Sequence, residues 1–247
     1  NDHDDEPLPP RAPRTRFNEP VGPHRSFEAA SFALAEFRAL REASGAGLSA
    51  LALAVIGGAL GRYLGARGEL PERALNAAVA LEPRRRPGSA GEVERPGAAY
   101  VSLHTGLADP RERLAAIARE TERLRAGHAR HPFVDTERLA GVLPPVVVRA
   151  ATGFYAARGL AGLMPPVTST VVANAAGPAI PLYCSGARLV RYHGLGPLSP
   201  GMGLYHSVFS CNDVLTISVV ADRERMPDPG FYRACLEESF AELRDAP

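Results

Sequence analysis

The sequence predicts an α/β fold, with a mixed β-sheet packed against helices. Three observations carry this. Apolar and β-branched runs of strand length alternate with segments of helical period along most of the chain. The last third holds two strand-length runs joined at Ser210-Cys211-Asn212-Asp213-Val214, where Asn212 and Asp213 suit the left-handed conformations of a tight hairpin. The stretch "DPRERLAAIARETERLRAG" is a helix with its own start signal: Asp109 as cap, Pro110 in first position, and Leu114, Ile117, Thr121 and Leu124 along one face.

The remaining elements follow in chain order. "RSFEAASF", residues 25–32, reads as a strand. "LAEFRALREASG" has helical spacing of Leu34, Phe37 and Leu40 and a stop at Gly45. "LSALALAVIGGALGRYLGARG" is a second helix, with Ser49 as the expected cap. Its Ala52, Ala54, Gly57, Gly58 and Gly61 weaken helix propensity, which makes sense if another backbone packs very close to a buried central helix. "ALNAAVALEP" is a strand running into a polar loop, and "AAYVSLHTGL" is another strand. A helix is expected over 144–162, and strands over 167–173, 183–192, 203–210 and 214–222. A final helix begins at "PDPGFYRACLEESFAEL", capped by Asp228 before Pro229.

Composition narrows the function. With 247 residues, 45% hydrophobic and 22% charged, the chain can bury a substantial core. A net charge of +1 implies no electrostatic pull toward nucleic acid. Cys184, Cys211 and Cys235 are widely spaced, with no CxxC or Cys/His metal pattern, which reads as free thiols in a reducing, cytoplasmic compartment. No metal or tightly bound cofactor is expected. The apolar run 48–60 is too short to span a bilayer before Arg62. Residues 1–13, acidic and then Pro-rich, read as a linker ahead of a domain over 14–247.

No GxSxG, Walker loop, HExxH or GxGxxG after a strand is present. His128 and His131 read as a solvated helix end, and Cys184 and Cys211 as small buried residues rather than nucleophiles. His206, between Tyr205 and Ser207, is a core or pocket histidine. The corner Asn174-Ala175-Ala176-Gly177-Pro178 has two readings: an Asn bonding its own turn, or a site.

Four segments carry a resemblance. "PRTRFNEPVGPHRSF", "SGAGLSALALAVIGGALGRYLGARGELP", "ANAAGPAIPLYCSGARLV" and "GPLSPGMGLYHSVFSCNDVLTISVVADRERMPDP" resemble, in order, segments of the C-terminal half of the bacterial wax ester synthase/diacylglycerol acyltransferases. The resemblance implies a fold of the chloramphenicol acetyltransferase-like type, of which this chain is one half. It implies an acyl-CoA-dependent O-acyltransferase that esterifies a fatty alcohol or diacylglycerol. Acyl-CoA would be the substrate, and the enzyme would work at a membrane or lipid-droplet surface. The family's HHxxxDG, which supplies the general-base histidine, belongs to an N-terminal half and does not occur here. That half is therefore an expected partner, with no catalytic residue in this chain.

The resemblance marks Asn174, Gly177, Pro178, Ser49, Ser210 and His206 as substrate-pocket candidates. Departures accompany it. Ser49-Ala50 stands where the family often has Asn-Asp, and Gly97-Ala98 where it often has Gly-Asn. Asn-Val-Pro-Gly-Pro has become the 174–178 corner, and Ser-Tyr-x-Gly has become Ser210-Cys211-Asn212-Asp213. The competing reading is a non-catalytic module of the same fold that binds lipid or a partner. A still different one is a stand-alone hydrolase using Cys184 or a serine.

Overall fold

The structure is a computed structural model that describes residues 11–81, 97–125, 131–132, 165–175, 177–178 and 180–246. In chain order the elements are β1 (Arg25–Ala33), α1 (Leu34–Ser44), α2 (Leu48–Gly65), β2 (Asn76–Leu81), β3 (Gly97–Ser102), α3 (Pro110–Arg125) and β4 (His131–Pro132). Then come β5 (Thr170–Ala175), β6 (Tyr183–Cys184), β7 (Ala187–Arg188), β8 (Leu204–Cys211), β9 (Val214–Asp222) and α4 (Pro229–Asp245). The helix expected over 144–162, the loop after Leu81, and His128 lie outside the described residues. Ala12, inside the expected linker, is buried and donates its N–H to the Pro166 carbonyl.

The sheet is mixed, in the order β1-β9-β8-β5-β2-β3-β4. Parallel pairing is confined to its centre, where β5 lies between β2 and β8; all other neighbours are antiparallel. The period-2 alternation of strands sorts the side chains into two faces. Ala30, Phe32, Val172, Val208, Leu215, Ile217 and Val219 join α1, α2 and α4 in one core.

The opposite face of β8 is covered by an extended strap, residues 192–196. Tyr192 stacks on Phe209 with ring centroids 4.1 Å apart, and Ser207 donates to the Gly194 carbonyl. A Cβ on Gly196 would sit 2.2 Å from the Tyr205 ring. The alternation 192, 194, 196 against 209, 207, 205 is one extended chain lying on another.

α2 is the buried central helix. By length and composition it is long enough to cross a membrane, but 72% of it is buried inside the fold, as a core helix is. Its glycines admit close neighbours. A Cβ on Gly57 would lie 2.5 Å from the Leu103 carbonyl oxygen, and one on Gly58 would lie 2.2 Å from Ser239 Oγ.

Several local expectations are corrected. Ser49 does not cap α2; Gly47 occupies that place in extended conformation, and Ser49 lies within the first turn with its hydroxyl engaged elsewhere. Asp228 sits at the start of α4 but makes no side-chain cap bond, because its carboxylate takes Tyr63 Oη at 2.7 Å and the Arg67 guanidinium. β5 begins at Thr170 rather than at residue 167, because Thr168 Oγ1 and Ser169 Oγ accept from the Ala78 and Asn76 backbone N–H groups. The strand expected over 183–192 is only the β6–β7 hairpin, turned at Ser185 (φ 48°) and Gly186 (φ 83°). At the β8–β9 turn only Asn212 is left-handed (φ 54°). Cys184 is exposed on the small hairpin, whereas Cys211 and Cys235 are buried.

Candidate functional site

β5 and β8 run parallel, with Val172 opposite His206 and Asn174 opposite Val208. On the helix side of this pair, Thr170, Val172 and Asn174 form one column, and His206, Val208 and Ser210 form the next. The columns climb from the core to the C-terminal ends of the strands, where the first turn of α2 overhangs them. The polar candidates Asn174, Ser49, Gly177 and Ser210 collect at that end.

Asn174 is half-buried. Its Nδ2 donates to Ser49 Oγ at 2.5 Å. Past Ala175 the chain turns in over the end of β8, and the Gly177 N–H donates to Ser210 Oγ at 3.3 Å. A Cβ on Gly177 would fall 1.5 Å from the Ser210 carbonyl oxygen, so only glycine permits this approach. Gly177 has no positive φ, so its role is the close approach and not an unusual backbone conformation. Pro178 is half-buried beside it.

The corner thus joins three elements: the end of β5, the end of β8 and the start of α2. Both hydroxyls accept one bond here and, among the described residues, donate none. Among the described residues nothing else bonds the Asn174 side chain, which retains a second N–H and its carbonyl oxygen. These residues carry no carboxylate, and such a set of donors suits an oxygen that gathers negative charge.

His206 belongs to the same column but not to the corner. It lies four residues below Ser210, fully buried. Its Nδ1 is 2.8 Å from Thr170 Oγ1 and its Nε2 is 2.7 Å from Tyr232 Oη. Thr170 Oγ1 is also within reach of the Leu204 carbonyl as donor. In either tautomer one ring nitrogen donates and the other accepts, the arrangement of a neutral imidazole. Burial lowers the His206 pKa to about 3.

The neutral form is the one the fold favours. This stabilisation is complete above the ordinary value of 6.5 and is lost as pH falls from there toward about 3. Between pH 7 and pH 5 it is expected to cost about 2 kcal/mol of unfolding free energy. Urea unfolding of the protein and of a His206→Gln variant at both pH values measures this, since the variant lacks that part of the pH dependence. Equal pH dependence in the two would contradict it.

His104 is also remote. It follows the C-terminal end of β3, at the opposite end of the sheet, where its Nε2 meets Glu120 Oε1 at 2.8 Å. An open cleft of about 470 Å³ at that end is lined by Arg14, Thr15, Arg16, Glu19, Glu69, Glu224 and Arg225. It offers little to an acyl chain, being lined mostly by charged side chains, with Arg16 paired with Glu69.

Sequence reading missed the aromatic wall beside the corner. Phe209 lies in contact range of a Cβ on Gly177 and is backed by Tyr192. The Gly194-Leu195-Gly196 spacing was the available signal, since small residues two apart let an extended chain lie on a strand.

The comparisons with known proteins bear on this geometry. The family model described as the WS/DGAT C-terminal domain matches residues 95–244. A Mycobacterium tuberculosis protein named as a diacylglycerol O-acyltransferase is 30% identical over 239 residues, which is 97% of this chain and 52% of that protein. The chain spans about half the length of the curated relatives it matches. Among solved structures, the wax ester synthase/diacylglycerol acyltransferase from Marinobacter aquaeolei VT8 superposes with a TM-score of 0.70 at 27% identity, covering 94% of this chain and 51% of that one. The cyclization-docking bidomain of the EpoB peptide synthetase from Sorangium cellulosum shares the fold, with a TM-score of 0.55 at 13% identity over 96% of this chain and 45% of that one.

Proposed function

The chain belongs to the WS/DGAT C-terminal domain family, and on that premise we propose that it is one half of an acyl-CoA-dependent O-acyltransferase acting on a fatty alcohol or diacylglycerol. The observation that carries this reading is the carboxylate-free corner of Ser49, Asn174, Gly177 and Ser210. In the proposed reaction, a histidine of the HHxxxDG half takes the proton from the acceptor hydroxyl, which attacks the thioester carbon. The carbonyl oxygen becomes an oxyanion, and the free N–H of Asn174 donates to it. The intermediate collapses by breaking the C–S bond, releasing CoA as a thiol after protonation and leaving the ester. His206 contributes no proton in this scheme, being held neutral in the core.

The other half also accounts for an exposed surface. Ile180, Tyr183, Val190 and Leu195 are 68%, 65%, 71% and 71% exposed, with Leu182 and Tyr192 beside them in sequence. So much apolar surface on one segment is the mark of an interface. In this reading the β6–β7 hairpin and the strap meet the N-terminal half. The work is cytoplasmic, at whatever membrane or droplet surface presents the lipid acceptor.

The chain alone is expected to bind a hydrophobic dye, and an N-terminal half is expected to displace it. A monodisperse monomer that binds none would contradict the interface. For the reaction itself, the two halves together are expected to release CoA from an acyl-CoA in proportion to added alcohol. CoA release by this chain alone, abolished in Cys184→Ala, would point instead to a nucleophile within it.

A further inference from the structure

We infer that Ser49 is a positioning residue for Asn174, holding its amide in one place at the end of β5. The inference rests on the proposed function for its consequence in turnover, but not for the contact itself. Among the described residues, the bond to Ser49 is the only side-chain hydrogen bond that Asn174 makes. The β5–β8 ladder holds its backbone, with Asn174 opposite Val208, but a ladder does not fix the terminal torsion of an Asn side chain. The amide torsion is broad, so a free Asn174 would swing its amide through a wide range of directions.

Ser49 is well placed to prevent this. Gly47 takes the cap position of α2, and Ser49 sits one residue inside the helix, where its hydroxyl is not needed to satisfy the helix end. Ala50, the next residue, is buried and anchors that turn in the core. The hydroxyl is therefore carried by a rigid element and aimed at the end of β5 from 125 residues away in the chain. One N–H of Asn174 is held by Ser49, which directs the other away from α2.

Two readouts test this separately. In 15N-labelled chain, Ser49→Ala is expected to shift the Asn174 side-chain amide pair and narrow its separation, while Ser49→Thr, which keeps the γ-oxygen, leaves it near its place. Unmoved Asn174 resonances in a folded Ser49→Ala protein would overturn the inference whatever the activity. In the two-half enzyme, Ser49→Ala is expected to lower kcat about fivefold to tenfold, as loss of one hydrogen bond would, with KM within about twofold and with rescue by Ser49→Thr. In an Asn174→Ala background, Ser49→Ala should add nothing, because its effect passes through that amide. An undiminished effect there would also overturn it. If Asn174→Ala itself leaves turnover intact while the resonances still respond to Ser49→Ala, the contact stands and the proposed function fails.

Discussion

Asn174→Ala is expected to lower turnover of the assembled two-half enzyme by about 10²–10³-fold, the usual cost of removing one oxyanion donor. The Asn174 amide lies at the end of β5 with one N–H on Ser49 and, among the described residues, no partner for the other. The substitution removes a donor whose partner acquires its charge only as the C–O bond forms, so kcat should fall more than KM rises. Stability should change little, because the residue is half-buried at a strand end and the ladder to β8 is made by backbone. Steady-state kinetics with a melting curve on the same sample distinguish the cases. Unchanged kcat in a folded variant would remove Asn174 from the reaction.

A large effect on stability is expected at Gly57. Helix propensity alone argues that Gly57→Ala should help α2 by about 1 kcal/mol. The packing argues the reverse, because the new methyl would lie 2.5 Å from the Leu103 carbonyl oxygen. A backbone atom cannot rotate aside, so helix and loop must separate and the core loosens. Overpacking of this kind costs about 1–3 kcal/mol, and here it must also exceed the propensity gain. A net loss near 2 kcal/mol would lower Tm by about 4–8 °C in a chain of this size. Gly65→Ala is the control: the same helix, with nothing within 4 Å of the added methyl, and an expected change between zero and a small gain. Equal melting temperatures for the two variants would show that the close approach at Gly57 has no energetic consequence.

The small-residue run of α2 was legible in sequence for the reason it exists. Gly57, Gly58 and Gly61 are poor helix formers that only a close neighbour explains, and each has one. α1 was legible from Leu34, Phe37, Leu40 and the left-handed Gly45. The misreadings fall where distant parts of the chain decide. Ser49 and Asp228 are both good caps by residue type. Yet the Ser49 hydroxyl is taken by Asn174, and the Asp228 carboxylate by Tyr63 and Arg67, more than 120 residues away in each case. Residues 183–192 have strand composition, but beyond the β6–β7 hairpin no ladder forms there, and composition does not supply a partner.

The candidate site was legible as a set of residues more than as a place. The resemblance named both His206 and Ser210, and period-2 alternation puts them on one face. It says nothing of depth, which separates a buried imidazole bonded to Thr170 and Tyr232 from a hydroxyl at the strand end. Asn174 could be read as a turn or as a site until its side chain was seen to reach α2 rather than its own loop.

The central claim is that substrate meets this chain at the ends of β5 and β8. The most direct measurement is chemical-shift mapping of a non-reactive thioether analogue of acyl-CoA on the assembled enzyme. Shifts at Ser49, Asn174, Gly177 and Ser210, with little change at Glu69 or Arg225, are the predicted result. Shifts confined to the Arg14–Arg16–Arg225 cleft at the opposite end of the sheet, with the Asn174 corner silent, would contradict it.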